Sequence, residues 1–285
     1  MRALILDELL AIVSGRDGTF LVNRKDVYIG QSIEIYGEHG GLEDVFLKGL
    51  LKSGDHVVEV GANIGAHTVG LAKAVGVEGR VDAFEAQRGC FAFLQAQIVL
   101  NQLHNIHAHC LAVGRTTGQL WVPIVNYAQY GNFGGIALSS DATENSEPVE
   151  VVTLDDRISD RRCALLKIDV EGMEEDVIRG ATKLISKHFP LLYVENDRVD
   201  KSKSLVTLLL SFGYRLWWHI PNLYNPDNYF GLKENAYQGI ASFNMFCCRE
   251  NHPAAAGLVE IKSPDEPHPL ARKSFQTGRQ YTIKT

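Results

Sequence analysis

Short apolar runs rich in β-branched residues alternate with segments of helical periodicity from about residue 54 to residue 249. The first run, HVVEV at 56–60, lies between two glycines and predicts a buried strand, and apolar residues at helical spacing over 64–75 predict the helix that follows it. Strands that alternate with helices in this way form a parallel sheet with helices on both faces. We therefore predict a doubly wound, Rossmann-like α/β fold.

The same pattern predicts the other strands of the sheet. Further buried runs occupy 80–86, 106–114, 164–170 and 191–196. Helices are predicted from the apolar faces Phe91, Leu94, Ile98 and Val177, Ala181, Leu184, and over 202–212. Two later runs, at 214–220 and 241–249, are long enough to form an antiparallel pair at the C-terminal end. A mostly parallel sheet of seven strands is therefore expected.

The segments outside this alternation define an insertion and two extensions. Runs at 118–124 and 148–154 are predicted to pair as a small β insertion around a Gly-, Ser- and Asn-rich mobile loop over 130–146. The main domain is predicted to span 51–250, with an N-terminal helix and β extension over 1–50 and a C-terminal extension over 251–285. The first segment, MRALILDELLAIVSG, is expected to be a short amphipathic helix, and the aperiodic tail a surface extension or partly disordered.

Charge and cysteine usage limit the partners and the compartment. The formal net charge is −6 and no run of Lys or Arg is present, so nucleic acid is not expected as a substrate. The five cysteines form no C-x-x-C pair, which is typical of reduced thiols in the cytoplasm. We find neither a secretory leader pattern nor an apolar stretch of about 18 residues, so no membrane span is predicted.

A glycine turn and two acids predict the cofactor. The segment EVGANIG, residues 59–65, joins the first strand to its helix, and glycine there lets the backbone approach a ligand while the helix start offers free N–H groups. Its spacing lacks the third glycine of the dinucleotide fingerprint. Glu59 can face an ammonium group, and Glu85, at the end of the second strand, can accept hydrogen bonds from both ribose hydroxyls. These features favour S-adenosyl-L-methionine over NAD, although Asn63 is also suited simply to cap the helix.

Two alternatives stay open at this point. A nicotinamide-dependent oxidoreductase is disfavoured by the missing glycine and by the absence of a Tyr-x-x-x-Lys helix. A non-catalytic binding module with the same fold is disfavoured by the presence of Glu59, Glu85 and Asp169.

Two segments resemble the FkbM family of methyltransferases. They are the stretch from Val58 to Leu71, with GANIG, and the more characteristic 165–185, with KIDVEG followed by DVIRGA. The resemblance extends over roughly Tyr28 to Arg249. It implies a class I O-methyltransferase that uses S-adenosylmethionine and acts on a hydroxyl of a sugar, glycan or polyketide-like macrolide. The cofactor site that it implies comprises Glu59, Gly61, Asn63, Gly65, Glu85, Ala86, Ala112, Val113 and Asp169.

Oxygen-bearing side chains follow the fourth and fifth strands. Asp169 and Glu171 end one strand, Glu195 and Asn196 end the next, and both ends should meet at the edge of the sheet where ligands bind. Asp169 is a candidate base or acceptor-positioning group, and Glu195 and Asn196 are candidate substrate contacts. Asp169, Glu195 and Asn196 could also hold a divalent cation such as Mg²⁺, an arrangement similar to that of metal-dependent catechol-type O-methyltransferases. Alternatively, Glu171 caps the next helix and Glu195 pairs with Arg198 or Lys167.

A second set of candidates follows the sixth strand. Amides and aromatic rings that suit a sugar, or an ordinary loop, cluster at Asn222, Tyr224, Asn225, Asp227, Asn228 and Tyr229, with Asn225 and Asn228 the predicted substrate ligands. His219 is a candidate base or a packed core histidine, and His67 is a further candidate base. Tyr36 and Glu38 precede the domain and are predicted to close over the cofactor.

Overall fold

The computed structural model describes residues 2–158 and 161–271. The strands are β1 (Ala3–Ile5), β2 (Leu10–Ser14), β3 (Thr19–Asn23), β4 (His56–Val60), β5 (Arg80–Phe84), β6 (Ile106–His109), β7 (Ala112–Val113), β8 (Gly118–Pro123), β9 (Ser146–Val152), β10 (Cys163–Ile168), β11 (Leu191–Glu195), β12 (Arg215–His219), β13 (Asn244–Cys248) and β14 (Val259–Ile261). The helices are α1 (Ile29–Tyr36), α2 (Gly41–Gly49), α3 (Ala66–Val75), α4 (Arg88–Asn101), α5 (Leu154–Arg157), α6 (Glu174–Arg179), α7 (Thr182–His188) and α8 (Val199–Ser211). Of the helices in these two ranges, none is long and apolar enough to cross a membrane.

The central sheet has eight strands in the order β14-β12-β13-β11-β10-β4-β5-β6. The five strands from β11 to β6 run parallel, whereas β13, β12 and β14 pair antiparallel in succession. The structure is therefore an α/β fold with a mixed sheet. The predicted total of seven strands is wrong because β14, in the segment expected to be an aperiodic tail, extends the sheet. The rest of that predicted tail, from residue 272 on, lies outside the described residues.

Alternate residues of the central strands enter two different apolar layers. Val58, Leu166 and Val194 pack under α6, α7 and α8 on one face, whereas Val57 and Leu165 pack under α2, α3 and α4 on the other. Because the side-chain period of a strand is two, each strand needs apolar residues at every position to be buried on both faces. This is why the strands read as continuous apolar runs in the sequence.

The N-terminal segment forms an antiparallel sheet, β1-β2-β3, so the amphipathic helix predicted there is wrong. Ala11 and Val13 are fully buried while their neighbours are not, which is the period of a strand. The backbone of β3 is bound by α4: the side chain of Gln97 exchanges two hydrogen bonds with Leu21, and that of Asn101 exchanges two with Thr19. These side chains take the place of a neighbouring strand and fix the small sheet to the main domain.

Two predicted elements are divided. The run at 106–114 splits into β6, in the main sheet, and β7, which joins the insertion sheet β7-β9-β8. The pairing of β8 with β9 confirms the predicted insertion. The helix predicted through Val177 and Leu184 breaks into α6 and α7 at Gly180, where a Cβ atom would lie 2.0 Å from the backbone oxygen of Gly114. The close approach of that loop interrupts the helix.

Candidate functional site

A cleft of about 1230 Å³ opens at the carboxyl ends of the parallel strands. It contains eight of the residues predicted for the site: Gly61, Asn63, Glu85, Ala86, Ala112, Val113, Asp169 and Glu195. Parallel strands bring the residues that follow them to one edge of the sheet, which is why positions far apart in the sequence meet here.

The glycine turn forms the floor of the cleft. Gly61 has φ +84°, and a Cβ atom on it would lie 1.8 Å from the backbone oxygen of Asp169. Its N–H and that of Ala62 both donate to the backbone oxygen of Phe84 at 2.9 Å. Asn63 is also left-handed, with φ +52°, and its Oδ1 accepts from the N–H of Ile64. The absence of a side chain at 61 therefore lets the turn lie directly against the backbone of Asp169.

Gly65 does not line the cleft. It has φ +86° at the start of α3, and a Cβ atom there would lie 2.7 Å from Cδ1 of Leu94. The glycine is needed for the packing of α3 against α4, a role that its prediction as a cofactor-binding residue did not include.

Glu85 presents its carboxylate to the cleft. Its two oxygens accept from the backbone N–H groups of Asn63 and Gln87, each at 2.7 Å. Each carboxylate oxygen keeps a second lone pair for a ligand hydroxyl. Burial raises the pKa of Glu85 to about 7, although the two backbone N–H groups oppose that rise.

A segment of the insertion closes one side of the cleft. Residues 132 and 134–138 line it, and Nε2 of Gln87 donates to the backbone oxygen of Phe133 at 2.9 Å. The Oε1 atom of Gln87 is buried and has no hydrogen-bond partner among the described residues. An unsatisfied acceptor beside Glu85 suits a ligand that carries donors. The segment lies within the stretch that the sequence predicts to be a mobile loop.

Lys167 forms a buried ion-pair network beneath the cleft. It stands opposite Glu59 in the β10–β4 pairing, and its Nζ lies 3.7 Å from Glu59 Oε1 and 3.4 Å from Asp169 Oδ2. Burial disfavours the charge, but the carboxylates of Asp169 and Glu59 outweigh it and raise the pKa of Lys167. Glu59 also accepts from the hydroxyl of Thr68 at 2.6 Å and is 1% exposed. In this structure the carboxylate of Glu59, predicted to face a cofactor, is instead paired with Lys167 and Thr68.

Two histidines lie on the opposite wall. His67 donates through Nδ1 to Asp44 at 2.6 Å, and Glu43 lies 3.8 Å from its Nε2. Burial alone would lower the pKa of His67, but these two carboxylates raise it to about 9. His67 is therefore a fixed cation and not the base that the sequence suggested. His39, which sequence reasoning did not single out, also lines the cleft.

The predicted metal ligands do not come together. Asn196 is buried, and its amide donates to Ser202 Oγ and Met245 Sδ at 2.9 and 3.3 Å. Asp169 is held by Lys167. Glu195 instead lies with Glu171 and Asp197, both of which pair with Arg198. The structure thus does not support the predicted divalent-cation set, and it places the amide of Asn196, predicted to contact substrate, in the packed interior.

The residues predicted to close over the cofactor and to bind sugar instead hold a loop. The hydroxyl of Tyr36 donates to the backbone oxygen of Glu234 at 2.9 Å and accepts from the N–H of Ala236 at 2.8 Å. Asn225 Nδ2 donates to Glu38 at 2.8 Å, and Asn228 Nδ2 donates to two backbone oxygens of its own loop. None of Tyr36, Asn225 and Asn228 lines the cleft.

His219 is a packed histidine, as the second interpretation of the sequence had it. Its Nδ1 lies 2.8 Å from the hydroxyl of Tyr193, and its ring stacks on Phe46 with centroids 4.1 Å apart. Burial lowers the pKa of His219 to about 4. His219 is not among the residues that line the cleft.

Three solved structures are similar to parts of this chain. A methyltransferase FkbM from Methylobacillus flagellatus KT is 22% identical with a TM-score of 0.47, and the match covers 70% of this chain and 45% of that one. A precorrin-6y C5,15-methyltransferase from Geobacter metallireducens GS-15 is 13% identical (TM-score 0.49; 81% and 93%). An S-adenosylmethionine-dependent O-methyltransferase from Thermotoga maritima is 12% identical (TM-score 0.44; 85% and 78%). The chain thus spans less than half the length of the first of these proteins.

The match to a family carries the assignment. No curated protein matches the chain significantly. The methyltransferase FkbM domain, however, matches residues 59–216, which is more than half of the 285 residues and includes both motifs and most of the cleft. The chain therefore belongs to the FkbM family of methyltransferases.

Proposed function

We propose that this chain is an S-adenosylmethionine-dependent O-methyltransferase that acts on a hydroxyl of a sugar, glycan or macrolide-like acceptor. The observation that carries the proposal is the cradle formed by Gly61 and Glu85. Gly61 removes side-chain bulk from the turn, and the carboxylate of Glu85 is anchored by two N–H groups with its remaining lone pairs free. Beside them, Oε1 of Gln87 has no hydrogen-bond partner among the described residues and is available to a hydrogen-bond donor of the ligand.

The chemistry of these groups fits an adenosine. Ribose hydroxyls would donate to Glu85, and an amino group of the ligand would donate to Gln87. The apolar residues Ala86, Ala112 and Val113 line the same part of the cleft and suit the face of an adenine ring. When bound, the cofactor supplies an activated methyl group. The task of the protein is then to orient an acceptor oxygen toward it.

The remainder of the cleft suits an acceptor with several hydroxyl groups. Its wall carries the carboxyl groups Asp169, Glu171, Glu195, Asp197 and Asp200 together with the cations Arg198 and Lys201. Hydroxyl groups of an acceptor donate hydrogen bonds to the carboxylates and accept them from the Arg and Lys side chains. We assign Asp169 to the positioning of the acceptor hydroxyl, because it follows Ile168 at the sheet edge and lies directly beside the glycine turn.

Ligand-induced stabilisation tests the cofactor, and mass spectrometry tests the reaction. S-adenosylhomocysteine at 100 times its dissociation constant should stabilise the fold by about 2.7 kcal/mol, whereas NAD should not. A panel of glycans and macrolide precursors incubated with the protein and S-adenosylmethionine should then yield a product heavier by one methylene. Stabilisation by NAD but not by S-adenosylhomocysteine would instead favour an oxidoreductase and remove the proposal.

We expect the affinity for S-adenosylhomocysteine to rise with pH. Because the pKa of Glu85 is about 7, its carboxyl group is largely protonated below that pH and ionised above it. The ionised group accepts hydrogen bonds more strongly, so the affinity should increase up to about tenfold from about pH 6 to about pH 8. Calorimetric titration of wild type and Glu85→Gln checks this expectation. The variant should bind weakly at both values, and an equal pH dependence in the variant would assign the effect to another group.

The Asp169→Asn variant should separate turnover from cofactor binding. The amide keeps the size of the side chain but removes the charge that orients an acceptor hydroxyl. We expect kcat to fall by about tenfold or more, while the Kd for S-adenosylhomocysteine changes only a few-fold. Turnover at the wild-type rate would remove Asp169 from the acceptor site.

A further inference from the structure

His39 lies in the turn between α1 and α2 and lines the cleft, as Asp169 does. It precedes the segment that matches the family, which begins at residue 59. Its ring forms a hydrogen bond with Ser32 and interacts electrostatically with His67, Asp169 and Lys167.

The hydrogen bond to Ser32 fixes the ring. Nδ1 of His39 lies 2.8 Å from Ser32 Oγ, and that hydroxyl also donates to the backbone oxygen of Ile29 at 3.1 Å. A hydroxyl has one hydrogen. The arrangement in which that hydrogen goes to the carbonyl of Ile29 leaves the oxygen to accept from His39, and in this tautomer Nδ1 carries the proton. Nε2 then holds a lone pair. No hydrogen bond within the described residues engages Nε2.

The surroundings keep this imidazole neutral. Burial lowers the pKa of His39 to about 3, and the cations His67 and Lys167 reinforce the shift while Asp169 opposes it. The ring of His67 lies 6.0 Å away, centroid to centroid, and is held protonated by Asp44 and Glu43. A second imidazolium beside it would be repelled. At neutral pH the cleft therefore contains one charged and one neutral histidine.

We propose that His39 is the general base for the acceptor hydroxyl, an inference that rests on the proposed methyltransferase function. The hydroxyl oxygen forms a bond to the methyl carbon while the carbon–sulfur bond breaks, and its electron pair stays on sulfur. The hydroxyl proton passes to Nε2 of His39. One positive charge thus disappears from sulfur and one appears on the imidazole, which then releases the proton to water in the cleft.

The low proton affinity of His39 is compatible with this role. An alcohol oxygen becomes strongly acidic as its bond to the methyl carbon forms, so a weak base can accept its proton late in the reaction. Because the imidazolium of His39 binds its proton weakly, it also loses that proton readily and returns to the neutral form that can act as a base. Asp169 is less suited to the task because one of its oxygens is bound to the ammonium group of Lys167 at 3.4 Å.

Nitrogen-15 NMR of the free protein tests the state of His39 without any acceptor. The His39 signals, assigned by their loss in His39→Gln, should show a protonated Nδ1 and an unprotonated Nε2 throughout about pH 6 to 8. The Ser32→Ala variant should lose this fixed tautomer. A wild-type ring protonated on Nε2, or on both nitrogens at neutral pH, would overturn the inference.

Kinetics test the proton transfer itself. With any hydroxyl compound that the wild type methylates, His39→Gln should lower kcat by at least about 100-fold while the Kd for S-adenosylhomocysteine stays within about twofold. His107→Gln, an exposed histidine on β6, is the matched control and should retain activity. Normal kcat in His39→Gln removes the base. Failure of wild type to bind S-adenosylhomocysteine would instead refute the methyltransferase proposal, whatever the tautomer of His39.

Discussion

Gly61→Ala is expected to destabilise the protein by about 3 kcal/mol or more and to abolish binding of S-adenosylhomocysteine. A Cβ atom at 61 would lie 1.8 Å from the backbone oxygen of Asp169, and φ is +84°. Neither backbone can move freely, because β4 and β10 are paired along their length and the N–H of Asp169 donates to Val60 at 3.0 Å. Urea unfolding followed by circular dichroism measures the loss.

Gly54→Ala separates crowding from backbone strain. Gly54 has almost the same conformation, φ +87°, but no atom lies within 4 Å of the Cβ position. Its substitution should cost only about 1–2 kcal/mol, the strain of a left-handed residue, and should leave the affinity for S-adenosylhomocysteine unchanged. Equal losses in the two variants would mean that strain alone, and not the approach of Asp169, requires glycine at 61.

The strands of the parallel sheet were predictable because each is buried on both faces. A run such as ALLKIDV carries apolar residues on both faces, with Lys167 as the one charge before the acidic end, and its length and flanking residues identify a strand that must lie inside a sheet. Local sequence patterns did not predict the secondary structure correctly where tertiary contacts determine it. The apolar start of the chain fits a helix as well as a strand, and only the side chains of Gln97 and Asn101, about 80 residues away, complete the hydrogen bonds of β3. Likewise Gly180 ends a helix because of Gly114, which is remote in sequence.

The same distinction between local sequence pattern and tertiary contact applies to the candidate site. Gly61, Glu85 and Asp169 follow strand ends, so the topology alone brings them to one edge. The composition of the segment after the sixth strand suggested a sugar-binding site. The side-chain amides of Asn225 and Asn228 instead form hydrogen bonds that hold the loop, and no sequence pattern reveals these bonds. His39 was missed because it lies in an irregular turn.

The pairing of Lys167 with Glu59 was missed although a signal was present, because Lys167 was considered only as a partner of Glu195. An acid interrupts the apolar run of β4 at Glu59, and a lysine interrupts that of β10. A buried charge requires a partner. Two such interruptions in neighbouring strands of a predicted sheet therefore indicate an ion pair, and the register Lys167–Glu59 bears that reasoning out.

Lys167→Met is expected to destabilise the protein by about 3–5 kcal/mol, because it leaves Glu59 buried without its counter-charge. Methionine preserves the length of the side chain, so packing changes little. Double substitution, Glu59→Gln with Lys167→Met, should recover most of the loss, and chemical unfolding of the two single variants and the double variant measures the coupling. Lys203→Met provides the exposed counterpart: Lys203 pairs with Asp265 at 2.6 Å on the surface, and its loss should change stability little.

The cost of Lys167→Met should also depend on pH with a definite sign. Burial raises the pKa of Glu59, and without Lys167 the main opposing charge is gone. A carboxyl group whose pKa is higher in the folded than in the unfolded state binds its proton preferentially when folded, so stability is lost as the pH rises above the unfolded value of about 4.5. The penalty should therefore be larger at neutral pH than near pH 5, and it should lose this dependence in the double variant. A penalty that is the same at both pH values, or that Glu59→Gln fails to relieve, would show that the network is held by packing and not by charge.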